Sequence, residues 1–300
     1  MMKLLFVVNP ISGGINKEPF LKKATTFCEK YGIDYHIFKT TGKDDQIEVK
    51  KVVQTFKPDR VISVGGDGTT LFTSISLLDF SIPMGIIPLG SANGMAAELN
   101  VNPEPMKALK DAIMSNVIGD LDMLLVNDTY YSIHIGDIGI NAQIVDSYEK
   151  DENRGMATYA KYFLQELKNL KPFGVTLTIN GMEIKEKALM VGICNSRKYG
   201  TGVPLNLTGN PMDGKFEIVI VNKIDANSLI KAGLSKFDES FHDSQNGRVI
   251  SGYSASILFE EPRLLQLDGE IIGHFMEVKV KTLKGAVKLI THNENTYVNS

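Results

Sequence analysis

Val64-Gly65-Gly66-Asp67-Gly68-Thr69-Thr70-Leu71 sets three glycines around one acid. Glycines let a backbone come close to a phosphate, and a helix opening at that point turns free amides toward it. A carboxylate in such a cradle repels phosphate unless it works through Mg²⁺ or takes a proton from an attacking hydroxyl. Asp67 is therefore a candidate for chemistry, beside the plainer role of a helix cap. Asn9-Pro10-Ile11-Ser12-Gly13-Gly14 and Pro88-Leu89-Gly90-Ser91-Ala92-Asn93-Gly94 each offer a small hydroxyl among backbone amides. Singly, each is an ordinary turn. Three such loops in one half of a chain form a nucleotide-site pattern.

Some chemistries are excluded. The spacing GxxxxGK(S/T) is absent and no GxGxxG opens the first predicted helix, so neither an ordinary P-loop NTPase nor an ordinary dinucleotide dehydrogenase fits. The 32 basic and 35 acidic residues leave a net charge of −3, which argues against nucleic acid as the partner. Two cysteines, Cys28 and Cys194, cannot build a disulfide scaffold, and both sit in apolar surroundings that suit buried thiols. No stretch approaches the roughly 20 apolar residues of a spanning helix, and the N-terminal apolar run is too short for a signal peptide. A cytoplasmic location is expected.

The elements that must position these loops change character along the chain. Through about residue 120, buried strands are predicted at 4–8, 35–38, 60–64 and 84–89, alternating with helices at 17–30, 45–56, 69–78 and 103–115. That alternation predicts a parallel sheet covered by helices, whose ligands sit beyond the strands' carboxyl ends. Beyond it, strands dominate: 121–126 and 130–135 flank Asn127-Asp128, and 175–179 and 182–184 flank Asn180-Gly181. Further strands are predicted at 216–221, 254–259, 264–267, 276–281 and 287–291, with one clear helix at 156–170 and a weaker one at 227–236. The expected fold is an α/β nucleotide-binding domain with a parallel sheet, residues 1–123, followed by a predominantly antiparallel β domain, residues 124–284.

Asn9-Pro-x-Ser-Gly, the GGDGT string and Pro88-Leu-Gly-Ser-x-Asn resemble the catalytic domain of diacylglycerol and sphingosine kinases and their bacterial lipid-kinase relatives. The resemblance continues through Gly136-x-x-Gly139-x-Asn141-Ala142, the segment 195–202, Met212-Asp213-Gly214-Lys215 and Leu267-Asp268-Gly269-Glu270. It implies ATP contacts at Asn9, Pro10, Ile11, Ser12, Gly13, Thr40, Gly65, Gly66, Asp67, Gly68, Thr69, Thr70, Leu71 and Ser91. It implies a structural Mg²⁺ held by Asp213, with backbone carbonyls from Asn210 and Lys215. It also implies that residues 285–300 return to the first domain. In the bacterial relatives Glu270 would accept the proton of the lipid hydroxyl, whereas the sphingosine kinases give a catalytic role to the aspartate matching Asp67. Gly94 stands where many bacterial members carry an acid. The aspartate that reads a sphingoid head group has no match among Gln143, Val145 and Asp146.

The expected activity is transfer of a phosphoryl group from ATP, with Mg²⁺, to a primary hydroxyl of a lipid resembling diacylglycerol, a sphingoid base or phosphatidylglycerol. Such an alcohol is a poor nucleophile at neutral pH, so a placed carboxylate must take its proton. Glu270 is assigned that role and Asp67 the positioning of metal. The acyl chain needs an apolar groove, expected between the halves with helix 156–170 in its wall. The lipid would be met at a membrane surface, with peripheral attachment at the inner face, and a homodimer stays open. A soluble-acceptor kinase such as NAD kinase, which shares GGDGT, is the rival reading, and a non-catalytic nucleotide or lipid sensor the second.

Overall fold

The computed structural model describes residues 1–139, 142–144, 171–198, 205–206, 208–223 and 247–298. The expected helices at 156–170 and 227–236, and residues Asn141, Val145 and Asp146, lie outside them. The chain divides into two compact units, Met1–Met123 with Lys284–Ser300, and Leu124–Leu283.

In the first unit, β1 (Lys3–Val8), β2 (Asp34–Lys39), β3 (Arg60–Gly65) and β4 (Met84–Pro88) lie parallel in the order β2-β1-β3-β4. Leu4 through Val8 are all buried, as a strand covered on both faces requires. The covering helices are α1 (Glu18–Lys30), α2 (Asp45–Phe56), α3 (Asp67–Ser76), α4 (Gly94–Glu98) and α5 (Pro105–Met114). Helix α1 shows the logic: Phe20, Leu21, Ala24 and Cys28 recur on one face, and that face joins Leu4, Phe6 and Ile62 in the core. The C-terminal segment belongs here too, because Leu289 pairs in parallel with Met84 and the Tyr297 hydroxyl donates to the buried Glu98 carboxylate of α4.

Antiparallel pairing governs the second unit. After β5 (Val117–Val126) come β6 (Tyr130–Ser132), β7 (Ile135–Gly139), β8 (Phe173–Ile179), β9 (Met182–Ala188), β10 (Met190–Cys194), β11 (Phe216–Val221), β12 (Gly247–Gly252), β13 (Ser254–Leu267) and β14 (Glu270–Thr291). Strands β12-β11-β10-β7-β13-β14 run side by side, with β8 on the other part of β13 and β9 on β8. Strand β8 alternates in burial, and its inward Phe173, Val175, Leu177 and Ile179 meet Phe216, Ile218 and Ile257 in one core. Asn127-Asp128, Asn180-Gly181 and Asp268-Gly269 all have positive φ at both positions, the geometry of two-residue hairpin turns.

Several expected boundaries are corrected. The strands expected at 254–259 and 264–267 are one strand, β13, whose register shifts between Leu258 and Arg263. A bulge breaks the alternation of residues without ending the strand, so the sequence pattern reads as two. Those expected at 276–281 and 287–291 are one strand, β14. The strand expected at 130–135 stops at Ser132, because the amides of Ile133 and His134 turn toward Asp268. Helix α4 and strands β10 and β12 were not expected from sequence.

Candidate active site

The loops after β1, β3 and β4 meet backbone to backbone. A Cβ on Gly90 would lie 2.2 Å from the Gly66 Cα, and one on Gly13 would lie 2.8 Å from the Gly90 carbonyl carbon. No side chain fits at Gly90, which explains why glycine occupies both sides of that contact. Asn93, held at φ 55°, ties its own turn: its Oδ1 accepts the Gly90 amide at 2.8 Å and its Nδ2 donates to the Gly90 carbonyl at 3.0 Å. Asp67 spans from the second loop to the third. Its Oδ2 accepts the Gly94 amide and its Oδ1 the Met95 amide, each at 2.9 Å, so the carboxylate caps α4. In the first loop, Asn9 Oδ1 accepts the Ile11 amide at 3.1 Å and the Ser12 hydroxyl donates to the Asn9 carbonyl at 3.3 Å.

Beside these loops lies a cleft of about 410 Å³, lined in part by Asn9, Pro10, Ile11, Thr40, Gly68 and Thr69. Thr70 is buried against the Gly66 carbonyl, and Ser91 is exposed at the rim of its loop. The Thr69 hydroxyl oxygen is buried with no hydrogen-bond partner among the described residues. Thr41, Gly42, Asp45 and Phe72 also line the cleft and were missed from sequence. The signal for the first three was the polar run that follows the β2 carboxyl end; Phe72 lies on α3 and gave none. Asp45 takes the Thr41 amide at 2.9 and 3.0 Å and the Gly42 amide at 2.7 Å. Against the desolvation that opposes it, these donors hold the Asp45 carboxyl below its ordinary value. A cleft of about 440 Å³ in the second unit is lined by Asp128, Lys279 and Lys281 and by none of the expected site residues.

Glu270, Asn210, Asp213 and Lys215 belong to the second unit. Glu270 is exposed and opens β14, directly after the Asp268-Gly269 turn, where Leu267 pairs with Glu270. Asp268 reaches back from that turn to accept the Ser132 hydroxyl at 2.6 Å and the amides of Ile133 at 3.0 Å and His134 at 3.1 Å. Burial pushes the Asp268 carboxyl up, and the charge of His134 and the three donors oppose that shift. Gln266 completes the support: its Oε1 accepts the Gly269 amide at 2.8 Å and its Nε2 donates to buried Asp137. The turn that carries Glu270 is thus held by side chains from two strands.

The 210–215 loop is closed by its own polar groups. Asn210 Oδ1 accepts the Met212 amide at 2.9 Å and Asp213 Oδ1 accepts the Lys215 amide at 2.8 Å, with Gly214 at φ 84°. Burial raises the carboxyl of nearby Glu217, and the negative charge of Asp213 raises it further. An acid plus backbone carbonyls is an all-oxygen donor set, so the residues fit Mg²⁺. Among the described residues no group of three His, Cys, Asp or Glu side chains forms a metal cluster.

Two family models match the chain. The diacylglycerol kinase catalytic domain matches residues 3–126, and the YegS C-terminal NAD kinase β sandwich-like domain matches residues 135–291. A Salmonella arizonae protein named "Probable lipid kinase YegS" is 30% identical over 276 residues, covering 89% of this chain and 90% of its own. The chain belongs to the YegS-like, diacylglycerol-kinase-like family of lipid kinases. A Staphylococcus haemolyticus protein named as a lipid kinase is 27% identical over 285 residues, covering 91% of this chain and 90% of its own. The crystal structure of a diacylglycerol kinase from Bacillus anthracis shares the fold, with a TM-score of 0.73, 20% identity and 98% of both chains covered. Membership makes this chain a kinase. Among the described residues no helix is long and apolar enough to cross a membrane.

Proposed function

We propose that this kinase uses ATP and Mg²⁺ to phosphorylate a primary hydroxyl of a lipid. The observation that carries the reading is the locked junction of Gly13, Gly66 and Gly90 beside a cleft lined by Asn9, Thr40 and Thr69. Backbone amides at that junction are suited to phosphate oxygens, and the orphaned Thr69 hydroxyl is a ready donor to one. Thr40, Thr41 and Phe72 offer the mixed polar and flat surface that a nucleoside needs.

The lipid oxygen attacks the γ-phosphorus, the bond from that phosphorus to the β–γ bridging oxygen breaks, and ADP leaves. Glu270 takes the hydroxyl proton in this reading. It is an exposed carboxylate on a turn that Asp268 and Gln266 hold still, which is what a general base requires. When bound with ATP, Mg²⁺ would supply neutralisation of phosphate charge, and a second ion in the 210–215 loop would be structural. Asp213 would hold that ion, with the carbonyls of Asn210 and Lys215. Asp67 keeps the phosphate loops in register, and its remaining lone pairs would serve to position Mg²⁺.

The test is incorporation of labelled phosphate from ATP across a panel of diacylglycerol, sphingosine, phosphatidylglycerol, undecaprenol and NAD, presented in mixed micelles or solution. Label in one lipid class supports the reading and names the acceptor. Label in NAD alone supports the soluble-acceptor rival instead. A lipid acceptor brings the chain to a membrane surface as a peripheral protein, and flotation with vesicles containing the labelled lipid checks that.

A further inference from the structure

Lys17 is 2% exposed, rare for a lysine, and it lies just after the first phosphate-type loop. Its ammonium donates to the Ile15 carbonyl at 2.8 Å and to the Ser12 carbonyl. Burying an ammonium costs free energy unless acceptors surround it, and burial lowers the pKa of this one. The chain therefore holds a positive charge beneath the loop through these two carbonyls.

The consequence follows from peptide geometry. In a trans peptide the C=O and N–H point to opposite sides, and no cis peptide occurs among the described residues. The Ser12 carbonyl is turned toward Lys17, so the Gly13 N–H is turned away from it. Gly13 sits at φ 63° where the loops meet, and a Cβ there would lie 2.8 Å from the Gly90 carbonyl carbon and the Ser91 nitrogen. The Gly14 amide donates back to the Ile11 carbonyl at 3.2 Å, which closes the turn and leaves the Gly13 amide as the one aimed outward.

We propose that Lys17 is a positioning residue for the nucleotide's phosphates. Together with the Ile15 amide, which also donates to the Ser12 carbonyl at 3.4 Å, it aims the Gly13 amide toward them, and it offsets their charge from behind the loop. A P-loop kinase puts a lysine on the phosphates directly, and this chain has none at that spacing. This inference rests on the ATP reading above.

Calorimetric titration of the full chain with ATP and with adenosine tests it. Lys17→Met keeps the length of the side chain and removes both charge and donors. ATP affinity is expected to fall about tenfold or more, the effect of losing charge-assisted hydrogen bonds, while adenosine affinity stays within twofold. Lys17→Arg retains the charge and should keep ATP affinity within a few fold. If Lys17→Met does not fold, Lys17→Gln, which keeps an amide donor group without the charge, should show the same selective loss. Unchanged ATP affinity in a folded uncharged variant overturns the proposal, as does an equal loss for ATP and adenosine. Wild-type protein that binds adenosine and ATP equally, or neither, overturns the ATP reading itself.

Discussion

Asp67 and Gly94 are joined by a hydrogen bond of 2.9 Å from the Gly94 amide to the Asp67 carboxylate. The bond links the two glycine loops that follow β3 and β4 and starts helix α4 on a negative charge. The Gly94 amide serves whatever side chain stands at that position, so the exchange of an acid for glycine there leaves this link intact.

Replacing Asp67 by Asn sets an amide nitrogen against one of two backbone donors. The unsatisfied pair should cost about 1–3 kcal/mol locally and loosen α4. ATP affinity is expected to drop both with and without Mg²⁺, together with turnover. Titrations under the two conditions check this. A loss confined to Mg²⁺-containing buffer would make metal positioning the main duty of Asp67.

Glu270→Gln should behave differently. General-base loss typically costs about 10²–10⁴-fold in rate. Turnover should fall in that range while ATP affinity and melting temperature stay at wild-type values, because the side chain is exposed. Near-normal turnover in this variant, with Asp67→Asn inactive but still binding ATP, would move the base to Asp67.

Gly90→Ala places a methyl group 2.2 Å from the Gly66 Cα, an impossible contact. The two loops must part, so ATP affinity should fall sharply and the melting temperature with it. The milder Gly66→Val, whose Cβ meets the Gly90 Cα at 3.1 Å, should weaken ATP binding in a protein that still folds. Unchanged nucleotide affinity in folded Gly66→Val protein would separate this junction from the nucleotide.

Asp213→Ala removes the acid of the 210–215 loop and the acceptor for the Lys215 amide. Added Mg²⁺ should raise the melting temperature of wild-type protein and fail to raise that of the variant. Equal responses to Mg²⁺ in thermal melts would reduce the loop to a turn.

Burial pushes the Cys28 thiol up to about 11, with the charge of Glu29 adding to the shift, and burial also raises Cys194. A thiol raised in the folded state contributes stability that is full below its ordinary value and is lost as pH rises through about 11. Neither cysteine should react with an aromatic disulfide reagent at pH 8 until the protein is unfolded. Alkaline melts should decline across that upper window, and Cys28→Ser should lessen the decline.

The alternation of the first half is legible in the chain alone, because strands buried on both faces and one-sided helices each leave a distinct period. So are the hairpins at Asn127-Asp128 and Asn180-Gly181, because left-handed turns demand those residue types. The glycine strings were legible as phosphate-type loops for the same reason. Other features are pairings across distance, and no local pattern records them. Helix α4 has five residues and no apolar stripe; it exists because Asp67 caps it and Tyr297 holds its far end. The Asp-Gly-Glu string does not announce that Asp268 reaches residues 132–134 while Glu270 stays exposed. Lys17 reads locally as the polar start of a helix; the carbonyls it meets are two and five residues back, but only the fold closes the protein over its charge. Local propensity depends on neighbours in the chain. A carboxylate's partners depend on where the backbone brings distant amides, and that is decided by packing.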